Sequence, residues 1–284
     1  MDLDIEDARQ VIEAALNEDI GTGDVTSAAV IPENLRFHGV MRARHAMVIA
    51  GLPVAREVFR RVVPAVGFRA LIADGDAVTA GAILAEIEGP ARGLLTAERT
   101  ALNFLQILSG IATVTRQYVE RIRGSGCTLL DTRKTIPGMR QLSKYATRCG
   151  GARNHRMGLF DAILIKDNHI AVCGSISEAV RKAKLATRAV PPSAPALKIE
   201  VECDTLAQVN EAVEAGADML LLDNMSLDQL RQAVALVGGR AQTEASGGVT
   251  LETISAIAAS GVNFVSVGRI TQSAPAVDIG LDWN

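Results

Sequence analysis

The second half of the chain repeats one order of apolar and polar positions: a short apolar run, a charged or glycine-bearing end, a helix-start signal, an amphipathic stretch and a glycine. The runs Thr128–Leu130, Ala162–Ile165, Leu197–Glu202, Met219–Leu222, Gln242–Glu244 and Phe264–Val267 predict strands. Ser175-Ile-Ser-Glu178, Thr205-Leu-Ala-Gln208 and Ser226-Leu-Asp-Gln229 read as capping boxes, in which cap side chain and third helical residue exchange hydrogen bonds. Thr250 is expected to cap a fourth helix, and Gly216, Gly238 and Gly261 stand where helix C-caps belong. Strands alternating with helices predict a parallel sheet, and so many short units predict a closed barrel. A doubly wound open sheet is the alternative, but no G-x-G-x-x-G follows an early strand.

The first half has another texture. Ile5–Leu16 predicts an amphipathic helix, followed by turn-rich Asn17–Asp24. From Arg36 to Glu88 the apolar runs are short and broken by turn signals at Asp74-Gly75-Asp76 and Gly81, as in an antiparallel sheet. Ala97–Ile122 predicts a long helix interrupted near Gly110, with the domain boundary near residue 115. Its Leu102, Phe104, Leu105, Ile107, Leu108 and Ile111 exceed one helix face, so it packs either between domains or between subunits. Pro191, Pro192 and Pro195 predict a surface loop.

Composition narrows the classes. Aromatics are only 3%, too few to stack on single-stranded nucleic acid, and no apolar run approaches the roughly 18 residues of a membrane helix. The acidic N-terminus lacks the basic start of a signal peptide, and Cys127, Cys149, Cys173 and Cys203 form no C-x-x-C pair. A reducing cytoplasm with idle thiols is the expectation. Charge is uneven: between Asp131 and His169 eight cations face three aspartates, on a chain of net charge −3. A basic segment on an acidic protein suits a focused anion pocket better than a nucleic-acid surface.

In a parallel barrel the reactive groups lie at the C-terminal ends of the strands. The strands lead into Asp131-Thr-Arg133-Lys134, Lys166-Asp-Asn-His169, Glu202, Asp223-Asn224, Ser246-Gly247-Gly248 and Gly268-Arg269. The last two suit a phosphate, which glycine-loop N–H groups and a helix starting at Thr250 would hold; a plain tight turn is the alternative. Glu202 and Asp223 could hold sugar hydroxyls, ligate Mg²⁺ or stabilise a developing oxocarbenium cation, or else pair with nearby lysines. Alternation is taken to put one of Glu200 and Glu202 inside the barrel and the other elsewhere. Arginine suits carboxylates and lysine suits phosphate, so the cluster implies a ligand carrying several of these groups. Lys166 could instead be a Schiff-base nucleophile.

The blocks Asp131-Thr-Arg-Lys-Thr-Ile-Pro-Gly138, Lys144-Tyr-Ala146, Gly150-Gly151, Asn154-His-Arg156 and Leu164-Ile-Lys-Asp-Asn-His169 resemble the signatures of the quinolinate phosphoribosyltransferase family. Glu18–Thr26, Glu98–Asn103, Ser109–Thr113, Leu222–Asn224 and Ser246–Gly248 extend the likeness over nearly the whole chain. The resemblance implies an incomplete α/β (TIM-like) barrel over 116–270 and an N-terminal α/β sandwich domain over 1–115, with the tail 271–284 packing back on the latter. It also implies a homodimer and conversion of quinolinate and phosphoribosyl pyrophosphate to nicotinate mononucleotide, pyrophosphate and CO₂, with Mg²⁺, in NAD biosynthesis. By position Arg133, His155 and Arg156 would hold the quinolinate carboxylates, with Arg99 from the partner subunit. Lys134 and Lys166 would lie between the substrates, Glu202 and Asp223 at the ribose, and Ser246, Gly247 and Gly268 at the phosphates. Ala152, Arg269 and Gln272 depart from the family's pattern, which bears on one loop and on the phosphate end. The rivals are a molybdenum-transport-associated paralogue of the same scaffold and, more distantly, a Lys166 Schiff-base lyase.

Overall fold

The computed structural model describes residues 3–188, 191 and 196–283, so the expected proline loop lies outside the described residues apart from Pro191. The chain divides into two compact units: Met1–Arg116 with Lys134–Gly151 and Arg269–Asn284, and Gln117–Arg133 with Ala152–Gly268. The expected cut near residue 115 lies beside the Arg116–Gln117 division. Of the span 116–270 assigned to the barrel, Lys134–Gly151 and the last two residues group with the first unit.

In the first unit a 3₁₀ turn, Ile5–Ala8, leads into α1 (Arg9–Ile20), which runs past the expected Leu16 until Gly21, at φ 52°, ends it. Asp24 caps α2 (Val25–Val30) by accepting the Ser27 N–H at 2.9 Å. There follow β1 (Arg36–Ala43), β2 (Met47–Val48), α3 (Leu52–Val62), β3 (Gly67–Ala70), β4 (Ala77–Val78) and β5 (Ile83–Pro90). The predicted antiparallel sheet forms: a C-terminal strand, Ile279–Trp283, pairs with β1, β1 with β5, and β5 with β3. Asp74, read as a turn residue, also caps α3 from a distance, accepting the Gly51 and Leu52 N–H groups at 2.6 and 3.1 Å and the Tyr145 hydroxyl at 2.6 Å.

The helix α4 (Ala91–Arg121) is continuous through Gly110, contrary to the expected interruption. A Cβ there would sit 2.1 Å from the Pro275 carbonyl oxygen, so the glycine serves close approach of two backbones, not a break. Leu102, Phe104, Leu105, Leu108 and Ile111 are buried within this unit's own core, which accounts for most of the apolar surplus inside one chain. The same core takes Leu142, Tyr145, Ala146 and Cys149 from α5 (Arg140–Gly150), which Gly151 ends in the left-handed region at φ 101°.

The second unit is built on β6 (Thr128–Leu130), β7 (Ile163–Ile165), β8 (Ile199–Cys203), β9 (Met219–Asp223), β10 (Gln242–Ser246) and β11 (Phe264–Ser266). All six predicted strands are present, paired in parallel in the order β6-β11-β10-β9-β8-β7. The ring is incomplete, not closed: Leu130 bridges to Arg153 on the outer edge of β6, and among the described residues no ladder joins that edge to β7. The helices are α6 (Asp167–Cys173), α7 (Ile176–Arg188), α8 (Leu206–Ala215), α9 (Leu227–Val237) and α10 (Ile254–Ala258). Thr205 with Gln208 and Ser226 with Gln229 make reciprocal boxes, and Gly216 and Gly238 cap the same helices in the left-handed region. At Ser175 only half the box forms, because the Glu178 carboxylate binds Arg181 instead.

Strand alternation sorts the side chains. Ile199, Val201, Cys203, Leu220, Leu222 and Ala245 pack in the apolar layer with the helices. Glu200, Glu202, Asp223, Glu244 and Ser246 occupy the alternate positions and face the barrel interior or its mouth.

Candidate active site

The C-terminal ends of the strands carry the polar groups that the sequence places there. Lys166 follows β7, and its Nζ lies 2.5 Å from Glu202 Oε2 on β8. The Lys166 backbone N–H donates to His169 Nδ1 at 2.9 Å, so His169 caps α6. Asp223 ends β9 and accepts from the Asn224 side chain at 2.6 Å, while the Asn224 N–H donates to the Ser246 carbonyl at 2.9 Å. Asn224 has φ 53°, the sole non-glycine in the left-handed region among the described residues.

Its neighbour explains that conformation. Gly247, at φ 95°, lies so close that a Cβ would come 2.1 Å from Asn224 Oδ1 and 2.9 Å from its backbone nitrogen. Gly248, at φ 58°, has open space around it and contributes only conformational freedom. The loops after β9 and β10 are thus interlocked, with Gly248 exposed. Thr250 does not start a helix as expected. It forms a turn with Thr253, and α10 begins at Ile254 and spans only Ile254–Ala258, too short to aim much of a dipole at an anion. Gly268 follows β11, half-buried, after Val267 donates its N–H to the Leu130 carbonyl at 3.1 Å.

Behind this mouth lies a polar interior. Asp131, fully buried at the end of β6, accepts the Asn154 side-chain amide at 2.5 Å and the His155 N–H at 2.9 Å, tying down the Asn154–Arg156 loop. His155 Nδ1 accepts the Arg156 N–H at 2.7 Å, and Nε2 lies 3.1 Å from Glu200 Oε2 and 3.4 Å from Glu244 Oε2. Burial opposes charge on the ring, but the two carboxylates outweigh it and push the His155 pKa up to about 10. The Nδ1 contact pulls the other way, since only a ring with a bare Nδ1 can accept it. Nδ1 is therefore bare, and the ring proton sits on Nε2, shared with the carboxylates. Glu200, raised by burial first and by Glu244 as well, is part of the same sharing. Arg156 donates to the Ala162 carbonyl at 3.3 Å, and burial together with the neighbouring charge of Arg133 lowers its pKa. Two half-buried guanidiniums that feel each other's charge suit an anion with more than one negative group.

Glu200 and Glu202 are two apart on one strand, so both face inward, correcting the expectation that only one would. They serve different partners, His155 and Lys166. In sequence Glu200 and Glu244 stand among the polar groups of the strand ends with no role assigned to them. A carboxylate inside an apolar strand, Ile199-Glu200-Val201 or Thr243-Glu244-Ala245, was the available signal. A cavity of about 370 Å³ reaches His155, Arg156 and Glu200 from the side of Lys198 and Gln242, at the N-terminal ends of the strands and opposite the Lys166–Glu202 mouth.

The remaining candidates belong to the first unit. Lys134 is exposed, its carbonyl accepting the Thr271 hydroxyl at 2.6 Å. Lys144 is fully buried on α5. Arg99 is exposed on α4, in a groove with Asp19, Asp24 and Thr96. All four cysteines are free thiols, and burial pushes Cys149 and Cys203 up to about 11 and about 12, which suits idle residues.

Known proteins resemble the chain end to end. The family model for the quinolinate phosphoribosyl transferase N-terminal domain matches residues 24–109, and that for the C-terminal domain matches residues 111–282. A Bacillus subtilis (strain 168) protein named probable nicotinate-nucleotide pyrophosphorylase (carboxylating) is 44% identical over 265 residues, covering 93% of this chain and 89% of its own. The Mycobacterium leprae (strain TN) nicotinate-nucleotide pyrophosphorylase (carboxylating) is 43% identical over 287 residues, covering 99% of each. Among solved structures, nicotinate-nucleotide pyrophosphorylase from Francisella tularensis superposes with a TM-score of 0.94 at 41% identity, covering 100% of this chain and 98% of that one.

Proposed function

The chain belongs to the quinolinate phosphoribosyltransferase family, and from that premise we propose that it joins quinolinate to phosphoribosyl pyrophosphate, yielding nicotinate mononucleotide, pyrophosphate and CO₂. The observation that carries this reading is the Arg133–Arg156 pair in the same unit as the Lys166–Glu202 pair at the strand ends. The first matches a dicarboxylate. The second offers both signs of charge, as a reaction that builds a cation and expels an anion needs.

The pyridine nitrogen attacks the ribose carbon that carries pyrophosphate, and the carbon–oxygen bond breaks as the carbon–nitrogen bond forms. Positive charge grows on the ribose, where the carboxylates of Glu202 and Asp223 stabilise it. Arg133 and Arg156 hold the ring by its carboxylates, so attack proceeds from a fixed pose. The interlocked Ser246–Gly248 loop presents backbone N–H groups to phosphate oxygens, with Gly268 beside it in the strand order. Once the ring nitrogen is quaternary, the adjacent carboxylate leaves as CO₂, its electron pair stays on carbon as a nitrogen-stabilised ylide, and a proton then adds there.

Mg²⁺ is the metal this family implies, and the mouth's donor set suits it: Glu202 and Asp223 offer carboxylate oxygens, the hard ligands Mg²⁺ prefers. When bound there it would neutralise charge on the leaving pyrophosphate. The imidazole-bearing interior set of His155, Glu200 and Glu244 suits it less. Lys166 Nζ is engaged by Glu202 at 2.5 Å, which weighs against a Schiff-base lyase. We assign Lys134 to the reacting centre, and Arg99 to quinolinate in the site of a second copy. No helix among the described residues is long and apolar enough to cross a membrane.

The test is direct. Incubation with quinolinate, phosphoribosyl pyrophosphate and Mg²⁺ should yield nicotinate mononucleotide, and nicotinate in place of quinolinate should not react. Arg133→Ala and Lys134→Ala variants with wild-type turnover and affinity would refute the residue assignment.

A further inference from the structure

The barrel interior holds more charge than a fold requires. Inward positions of such barrels are ordinarily filled by branched apolar side chains, and replacing buried ion pairs with apolar residues often stabilises a protein. Here Glu200 and Glu244 are 4% and 0% exposed, and His155 is their partner. Glu200 Oε1 and both oxygens of Glu244 make no hydrogen bond. Two buried carboxylates around one imidazole exceed what pairing needs, so their place in the fold calls for a reason other than stability.

The connection runs outward through His155. Its Nε2 meets the carboxylates, its Nδ1 receives the Arg156 N–H at 2.7 Å, and its own N–H is held by Asp131 at 2.9 Å. The ring is therefore clamped on both nitrogens, and the backbone that carries Arg156 is clamped with it. Arg156 lies near enough to Arg133 to feel its charge, and Glu200 is the buried counter-charge that favours the Arg156 cation. Without substrate the two guanidiniums repel; Glu200 and Asp161 offset that repulsion at Arg156.

We propose that Glu200 and Glu244 are positioning residues for the carboxylate-binding half of the site. Acting through His155, they fix the Arg156 backbone and so hold the Arg156 guanidinium aimed, beside Arg133, before the dicarboxylate arrives. This rests on the reading that Arg133 and Arg156 bind quinolinate.

Glu200→Gln and Glu244→Gln keep the side-chain shape and remove the charge. Steady-state kinetics should show KM for quinolinate raised roughly tenfold in each, with KM for phosphoribosyl pyrophosphate and kcat within about twofold of wild type. Glu200→Asp, which keeps the charge, should recover part of the loss. If Glu200→Gln does not fold, Glu244→Gln carries the test, because Glu244 meets His155 at the longer distance, 3.4 Å against 3.1 Å, and has less to lose on folding. Folded variants whose quinolinate KM is unchanged, or whose two KM values rise together, overturn the positioning role. A wild-type enzyme that does not consume quinolinate overturns the underlying reading instead.

Discussion

Replacing Gly247 with alanine sets the interlocked loop against its neighbour, because adjacent Gly248 offers a matched control. At φ 95° an alanine is strained by about 1–2 kcal/mol, the usual cost of a left-handed backbone for a side-chain-bearing residue. The added Cβ would also lie 2.1 Å from Asn224 Oδ1 and 2.9 Å from its backbone nitrogen, so Asn224 must move. Its side chain then releases Asp223, now bonded at 2.6 Å. A hydrogen bond to a carboxylate contributes about 1.5–3 kcal/mol when buried, and about 1 kcal/mol for a half-exposed group. The total is about 2–3 kcal/mol, or a fall of roughly 4–10 °C in Tm for a domain of this size. Gly248→Ala, at φ 58° with nothing within 4 Å of its Cβ, should cost only about 1 kcal/mol. Thermal unfolding gives the stability difference, and steady-state kinetics should show KM for phosphoribosyl pyrophosphate raised about tenfold in Gly247→Ala alone. Equal effects of the two substitutions on Tm and KM would refute the interlock.

Other substitutions probe separate links. Gly110→Ala improves helix propensity by about 1 kcal/mol, but its Cβ meets the Pro275 carbonyl at 2.1 Å, so Tm should fall, not rise. Glu57 is drawn below the ordinary carboxylate range by the Arg60 hydrogen bond first, against burial, and by Arg61. A lowered folded-state pKa contributes stability above the unfolded value of about 4.3, lost as pH falls through the folded value. Glu57→Gln should therefore lower the urea midpoint at neutral pH and converge with wild type under strong acid; a constant offset at every pH counts against the ion pair. If a second copy supplies Arg99, Arg99→Ala and Lys166→Ala are each inactive, yet co-refolding them restores about a quarter of wild-type activity through mixed dimers. No recovery would show that each chain uses its own Arg99.

Local chemistry explains what was legible before the structure. Thr205–Gln208 and Ser226–Gln229 each close a box within one turn, and the run at Met219–Leu222 is a strand because alternate residues, Leu220 and Leu222, must leave water against the helices. The basic and glycine-bearing strand ends were readable for the same reason, since strand direction alone sends them to one mouth. Gly110 was misread because in sequence a glycine in a helix looks like a break. Only the arrival of Pro275, far along the chain, shows that it is a contact. Ser175 was half misread because a nearby arginine, Arg181, competed for the carboxylate the box needed.

The chain by itself determined which side chains carry charge, where helices start, and that a basic segment faces an acidic remainder. Tertiary structure alone decided partnership. It joined Glu202 to Lys166, brought Glu200 and Glu244 together at His155 Nε2, and brought Gly247 against Asn224. These pairs are 36, 45, 89 and 23 residues apart in sequence; the first and last meet because neighbouring parallel strands come together, and the His155 pairs meet because the Asn154–Arg156 loop turns into the barrel interior. Periodicity sets which face a residue presents. The sheet order sets what it meets there.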